Sequence, residues 1–329
     1  MAAPIRIATF NLENLDDKPG LEPALAARIP VLRRRLDRLD ADVLCLQEIN
    51  AQRGPDKRAP RRLAALDALL AGTPYEGCAR VASAHRDGHG PLDVQNLAIL
   101  SRLPIAWHRQ YWHELVPPID YRAATAVPGA GTPQAVEWDR PALHAAIEAA
   151  PGRIVHVFNL HLRAPLAAAI AGQKESAFVW RTAAGWAEGF FVAAVKRAGQ
   201  ALETRLAVDR VFDREPEALI VVCGDMNAEE REMPLRILRA DAGDTGAPAL
   251  AARALVPLER MVAAAKRYSV VHAGRAAMLD HVLASPALFA LCRSVEVHNE
   301  ALEDEAYAEL RAPANPASYH APVVAEFVI

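Results

Sequence analysis

Leu219-Ile220-Val221-Val222-Cys223-Gly224-Asp225-Met226-Asn227 is the stretch that decides how the chain folds. Its five leading apolar residues, closed by a glycine, have the pattern of a strand buried on both faces. Beyond the glycine, a carboxylate and a carboxamide stand two positions apart, and in extended chain residues i and i+2 point the same way. Asp225 and Asn227 are therefore expected to project together from the end of a core strand. They form a hard-oxygen pair suited to a divalent cation and a phosphoryl oxygen. Gly, Asp and Asn are also the residues of turns, so the same four residues fit a plain turn.

Working outward, other apolar runs end in the same manner. Ile5 to Phe10 delivers Asn11, and Asp42 to Gln47 delivers Glu48. Ile154 to Leu162 carries Asn159 and His161, while Val94 to Leu103 closes on polar residues and Pro104. Asp280 sits near the start of the run Met278 to Ala284, and His320 precedes a terminal alternating strand. If neighbouring strands alternate in direction, the ends of some and the starts of others fall on one sheet edge. Taken singly, Asn11 fits a turn, Glu48 a surface or helix-terminus carboxylate, His161 a core histidine and Asp280 a strand-edge polar residue. Their coincidence on one edge is what points to a site.

The intervening segments supply helices. Pro23 to Arg38 repeats Leu25, Ile29, Leu32 and Leu36 at helical spacing, leaving Arg33-Arg34-Arg35 as a solvated side. Leu63 to Leu70 and Pro234 to Arg239 read as short helices. Lys174 to Arg210 is helical but interrupted by Gly185, Gly189 and Gly199, which predicts two helices or one with a bend. Its stripe of Val179, Trp186, Phe190 and Leu202 is expected to pack in the core. Pro117 to Pro133 has little pattern and reads as a long surface loop, a flap over a site.

Composition sets the outer limits. The 329 residues, 52% hydrophobic, support a large core, and no repeat or linker divides them, so one domain over 1–329 is expected. A net charge of −3 excludes a globally basic nucleic-acid binder and leaves room for a local basic groove. Cys45, Cys78, Cys223 and Cys292 lack metal or redox spacing and read as free thiols in a reducing compartment. No apolar run reaches the ~18 residues of a membrane span. The N-terminal residues enter a strand pattern at once, without a signal-peptide core, so a cytoplasmic location is expected. No protein partner is implied.

These residues carry a resemblance. Thr9-Phe10-Asn11-Leu12-Glu13, Leu46-Gln47-Glu48, Ala98-Ile99-Leu100-Ser101-Arg102, Asn159-Leu160-His161-Leu162, Gly224-Asp225-Met226-Asn227, Leu279-Asp280-His281 and Ser318-Tyr319-His320-Ala321-Pro322-Val323 occur in order along the whole chain. The pattern is similar to that of the endonuclease/exonuclease/phosphatase superfamily. That resemblance implies an α/β fold, a four-layered α/β sandwich of two packed mixed β-sheets flanked by helices, with its site at one edge.

The resemblance also implies a hydrolase of phosphoesters or phosphodiesters that uses Mg2+ or Mn2+. Glu48 matches the metal ligand, with Asn11 beside it. Asp225 matches the group that activates water, and Asn227 the donor that fixes it. His320, partnered by Asp280, and His161 match phosphate-contacting positions, while Asn159, Arg102 and Arg140 are candidates for substrate contact. Where many members carry Asp before the terminal histidine, this chain has Tyr319, a poor ligand while its phenol is protonated. One main metal site is therefore expected. Tyr319 also leaves open a degenerate member acting by binding alone. A nuclease would need a basic groove, for which Arg53, Lys57, Arg58, Arg61, Arg62, Arg102, Arg122, Arg140 and Arg163 are candidates. The overall acidity fits a small phosphoester equally well. The polar loop with His85, Arg86 and His89 fits either a terminal-phosphate site or a solvated loop.

Overall fold

The structure is a computed structural model that describes residues 4–329 apart from 55, 57, 58, 130 and 309–314, so Lys57 and Arg58 lie outside the described residues. The chain begins with β1 (Pro4–Leu15), α1 (Leu25–Leu39), β2 (Val43–Ile49), α2 (Ala64–Leu70), β3 (Ala79–Ala82), β4 (Asn96–Ser101) and β5 (Ile105–Tyr111). It continues through β6 (Ile119–Tyr121), β7 (Gln134–Val136), β8 (Ala142–Ala150), β9 (Arg153–His161), α3 (Ala183–Phe212), β10 (Leu219–Asp225), α4 (Met233–Arg239) and α5 (Ala242–Thr245). The last part holds β11 (Val256–Pro257), β12 (Val270–His272), β13 (Arg275–Ala277), β14 (Asp280–Ala284), α6 (Pro286–Phe289), β15 (Cys292–Val297) and β16 (Val323–Val328).

Pairing gives two six-stranded sheets, ordered β15-β16-β1-β2-β4-β3 and β11-β14-β10-β9-β8-β5. Both are mixed: β1 is parallel to β2 and antiparallel to β16, and β10 is parallel to β9 and antiparallel to β14. Alternation along each strand assigns the layers. Ile5, Ile7, Val43 and Cys45 of the first sheet meet Val155, Val157, Val221 and Cys223 of the second in the central core. Ala8, Phe10, Leu44 and Leu46 turn the other way, against Leu32 and Leu36 of α1 and Leu66 of α2. Phe158, Ile220 and Val222 pack beneath Val208 and Val211 of α3 and Leu235 of α4. The result is the expected four-layered sandwich. Burial on both faces explains why the β10 stretch is apolar throughout instead of alternating.

This register also settles where the strand ends fall. Asn11 pairs with Gln47, Asp225 with both His161 and Asp280, and Thr9 with Val323 just after His320. The ends of β1, β2, β9 and β10 and the starts of β14 and β16 therefore share one edge. Arg102 follows Ser101, which pairs with Val43 at the start of β2, so it lies at the opposite edge.

Of two helical expectations, the structure selects one alternative of the first and overturns the second. The interrupted segment forms one helix, α3, of 30 residues. Its glycines mark close approaches instead of breaks. An added Cβ would come within 2.4 Å of Gln173 at Gly185, 2.3 Å of the Ala168 carbonyl at Gly189, and 2.4 Å of the Trp138 ring at Gly199. The aromatic stripe is not core: Trp186 is 49% exposed and Phe190 40%, while the opposite face, with Val192, Ala201 and Val208, is buried. The 117–133 segment, expected as an unpatterned loop, contains β6, which pairs with β7. Among the described residues no helix is long and apolar enough to cross a membrane.

Candidate active site

Backbone strain gathers at the shared edge. Of the nine non-glycine residues with positive φ among the described residues, four lie there: Glu13, Asn14, Glu48 and Asn227, with φ of 52°, 50°, 60° and 47°. Such conformations persist where surrounding contacts enforce them and are concentrated at functional sites. At Glu48 the cause is a bulge, because the pairing of β2 with β4 slips between Leu46 and Ile49. Gln47 already faces the second sheet, reaching Asn159 at 2.7 Å, and the bulge turns Glu48 toward the edge as well. Gly224, at φ 137°, passes so close to Leu160 that a Cβ would lie 1.9 Å from its carbonyl oxygen. Only glycine permits that approach, and it brings Asp225 beside His161.

Asp225, only 1% exposed, is the hub. Its Oδ1 accepts from the Asn227 N–H at 2.8 Å, and its Oδ2 accepts from the side-chain amides of Asn227 at 3.1 Å and Asn11 at 3.0 Å. The turn reading and the site reading of this stretch thus hold together: Asn227 closes an Asx turn and also braces the carboxylate. Asn227 donates further to the Leu162 carbonyl at 3.1 Å, and its own carbonyl accepts from Arg197 at 2.7 Å. Burial pushes the Asp225 carboxyl up to about 7 against the opposing pull of His320.

Glu48 stands opposite. Its Oε1 accepts from Asn11 at 2.9 Å and its Oε2 from the Asn14 N–H at 3.0 Å. Asn11 bridges the two carboxylates through its NH2, while its oxygen accepts from the Glu13 N–H at 2.8 Å. Asn11, expected as a ligand beside Glu48, thus lies between the two carboxylates. His161, 3% exposed, has Nε2 3.6 Å from Glu48 and 3.5 Å from Asp225, and its Nδ1 lies 2.7 Å from Arg140. An arginine only donates, so the ring accepts there. Burial, reinforced by Arg140, holds His161 well below its usual pKa. Gln200 of α3 donates to the carbonyls of both Arg140 and His161, at 3.1 and 3.0 Å.

His320 completes the cluster, with Nδ1 2.7 Å from Asp280 Oδ2 and Nε2 4.0 Å from Asp225. Burial alone would lower its pKa, but the charges of Asp280 and Asp225 and the Asp280 hydrogen bond push it up to about 10. Two sets of three groups thus share Asp225: Glu48, His161 and Asp225, and Asp225, Asp280 and His320, each with ligand atoms within 4.8 Å of one another.

Some expected residues are placed elsewhere or used otherwise. Asn159 is buried with its amide fully engaged, accepting from Gln47 and donating to the Leu46 and Ala98 carbonyls at 3.0 and 2.9 Å. It ties the sheets together, and its side chain is wholly buried. Arg102 pairs with Asp40 at 2.8 Å at the far edge and is not part of the cluster. Arg61 is held by Asp93, Arg163 by Asp139, and Arg86 by Glu137 while lying over the Trp112 ring.

Other residues were missed in the sequence. Glu13 accepts from the Tyr319 N–H at 2.6 Å, and burial raises its carboxyl near His320 and Glu48. Its place two residues after Asn11, the spacing already noted at Asp225 and Asn227, was the available signal. Arg35, expected on a solvated face, donates to the carbonyls of Ser318 and His320 at 3.1 and 3.2 Å. Arg28 likewise holds the Leu12 and Glu13 carbonyls at 2.6 and 2.9 Å.

A buried cluster of carboxylates, carboxamides and imidazoles at a sheet edge has the donor chemistry to hold a hard divalent cation and a phosphoryl oxygen. A family model described as the Endonuclease/Exonuclease/phosphatase family matches residues 8–320, and the chain belongs to that family. Solved structures share its fold. Truncated TDP2 from Caenorhabditis elegans superposes with a TM-score of 0.57 at 14% identity, covering 99% of this chain and 98% of that one. An endonuclease/exonuclease/phosphatase from Bacteroides vulgatus gives 0.57 at 15% identity, covering 98% of both chains. A mannosyl-6-phosphatase from Bacteroides thetaiotaomicron gives 0.56 at 14%, covering 99% of this chain and 100% of that one. No protein of curated function matches the chain.

Proposed function

We propose that the protein is a hydrolase of phosphoester or phosphodiester bonds, dependent on Mg2+ or Mn2+, in which water attacks phosphorus in line with the leaving oxygen. The observation that carries this reading is the sharing of Asp225 between an acidic group around Glu48 and an imidazole–carboxylate pair at His320. The donor chemistry fits a hard divalent cation. Glu48, Glu13 and Asp225 supply carboxylate oxygens, and Oδ1 of Asp280 is buried without a hydrogen-bond partner. Glu48 would be the principal ligand, in one main site. When bound, the cation polarises the phosphoryl group and offsets charge developing on its oxygens.

The chain's own groups account for the rest. Asp225, buried between the Glu48 and His320 groups, is placed to take a proton from the attacking water, and Asn227 fixes its orientation. His320, held by Asp280 and pushed up to about 10, stays an imidazolium that donates to a phosphoryl oxygen. Arg140 gives His161 a fixed donor, so that neutral ring can orient Glu48 and Asp225 without adding charge.

A small phosphoester is favoured over a nucleic-acid strand, since Arg61, Arg102 and Arg163 are spent on carboxylates. The test is a panel of aryl phosphodiesters, sugar phosphates, inositol phosphates, DNA and RNA, assayed with Mg2+, Mn2+ or chelator for wild type and His320→Gln. Metal-dependent turnover that falls at least 100-fold in the variant is expected. Equal turnover with chelator would overturn the reading, and two tightly bound metals per chain would overturn the single site.

A further inference from the structure

The exposed face of α3 belongs to a second construction beside the catalytic edge. Two carboxylates of α3 strap the preceding segments onto the helix. Glu188 accepts from the Tyr121 hydroxyl and the Thr125 N–H, both at 2.8 Å, and from the Ala124 N–H. Glu203 accepts from the N–H groups of His113, Glu114 and Leu115 at 2.9, 2.7 and 3.0 Å and from the Trp138 ring at 2.8 Å. Gly172, at φ 70°, lets the 164–172 loop run against Val127. Between the strapped flap, this loop and α3 lies a cavity of about 530 Å³ whose lining includes Tyr121, Ala126, Val136, Ile170, Val192 and Lys196. That volume suits a small organic ligand.

Three sets of contacts connect the cavity wall at Lys196 to the candidate active site. Lys196 lines it and pairs with Asp139 at 2.8 Å, and the next residue, Arg140, touches His161. Arg197, beside Lys196 on the helix, holds the Asn227 carbonyl. Gln200, about 6 Å further along α3 at 1.5 Å per residue, holds the carbonyls of Arg140 and His161. Along the same segments apolar side chains stay in solvent: Ile119 at 54%, Val127 at 61%, Leu166 at 67%, Phe178 at 92% and Phe191 at 51%.

We propose that this cavity receives the apolar part of the substrate, so that the phosphoester cleaved at the Asp225–His320 centre carries an alkyl or acyl chain. The inference rests on the hydrolase reading, since a chain seated beside Lys196 places its phosphate toward Arg140 and His161. Each methylene that leaves water for the apolar lining adds about fourfold to kcat/KM. The exposed apolar rim is where such a chain would first make contact.

The test is a series of methyl, butyl and octyl p-nitrophenyl phosphodiesters, assayed with Mg2+ below their aggregation concentrations. Wild type is expected to prefer the octyl over the methyl ester by at least 50-fold. Ala169→Trp, which adds bulk to the cavity lining, is expected to reduce that ratio below about fivefold; Thr132→Trp, also in the lining, does the same if the first variant melts early. A flat series in wild type, or an unchanged ratio in both folded variants, would overturn the proposal. Binding is read separately in chelator: octyl phosphate should raise the melting temperature of wild type and of neither variant. Octyl-selective stabilisation without turnover of any ester would leave the cavity standing and sink the hydrolase reading, whereas turnover with no chain-length effect would do the reverse. Presenting the octyl chain in phosphatidylcholine vesicles or as monomer distinguishes its sources. A vesicle-specific loss in Phe178→Asp supports uptake from a bilayer, and equal rates support uptake from solution.

Discussion

Replacing Asp225 by Asn separates the chemistry of the site from its stability. Burial moves this carboxyl from 3.8 to about 7, which costs the ionised folded protein about 4 kcal/mol at about 1.4 kcal/mol per pH unit. Because the pKa is raised, the cost is absent below pH 3.8 and fully present above pH 7. Asn removes that cost. Against it stand the donors from Asn11 and Asn227, which converge on both oxygens, so an amide in either orientation turns an NH2 toward at least one of them. Each donor left unpaired costs about 1–3 kcal/mol. The two effects nearly cancel, and urea melts at pH 8 in chelator should place the variant within about 2 kcal/mol of wild type. Its kcat/KM on the best phosphoester should nevertheless fall by about 10²–10⁴, the contribution of a positioned proton acceptor. Activity within tenfold of wild type would refute the role of Asp225. A loss of stability beyond about 4 kcal/mol would refute the accounting of its burial.

Three further outcomes follow from the geometry. In metal-free protein the His320 ring, followed by NMR, should stay protonated from pH 6 to 8, and Asp280→Asn should return its titration toward the usual 6.5; its raised pKa means the proton's contribution to stability is full below 6.5 and lost as pH rises through about 10. Gly199→Ala should destabilise by about 1–3 kcal/mol in thermal or urea melts, despite a helix-propensity gain of about 1 kcal/mol, because Trp138 is pinned by Glu203 where the new Cβ must go. Glu188, lowered from 4.5 to about 2 because hydrogen bonds from Thr125, Ala124 and Tyr121 outweigh its burial, contributes stability above pH 4.5 that is lost as pH falls through 2. Glu188→Gln should therefore cost about 1–3 kcal/mol at pH 7 and nothing at pH 2, by urea melts at each pH.

The layers and the edge that holds the candidate site were legible because they rest on short-range rules. Continuous apolar runs mark doubly buried strands, and strand ends that place Asn11, Glu48, His161 and Asp225 on one edge follow from alternation alone. What escaped depended on who packs against whom. A glycine in a helix shows its cost in the sequence and not its neighbour, so Gly185, Gly189 and Gly199 read as breaks where the structure seats Gln173, Ala168 and Trp138. The apolar stripe of α3 has the right period for a core face, but the buried face is set by Gly185, Gly189, Val192 and Ala193 with the carboxylates Glu188 and Glu203, which bind loops. Arg102 ends a strand as Glu48 does. Its strand runs the other way, and that direction is a tertiary fact. Glu13 lies in two consecutive left-handed residues, a turn with no glycine to announce it.

The central claim is that water activated at this edge attacks phosphorus with a divalent cation present. Turnover of an aryl phosphodiester in ¹⁸O-water with Mg2+, against a chelator control, tests it most directly. The account predicts one ¹⁸O in the phosphoryl product, none in the released alcohol, and no turnover in chelator. Label in the alcohol, or hydrolysis undiminished by chelation, would contradict it.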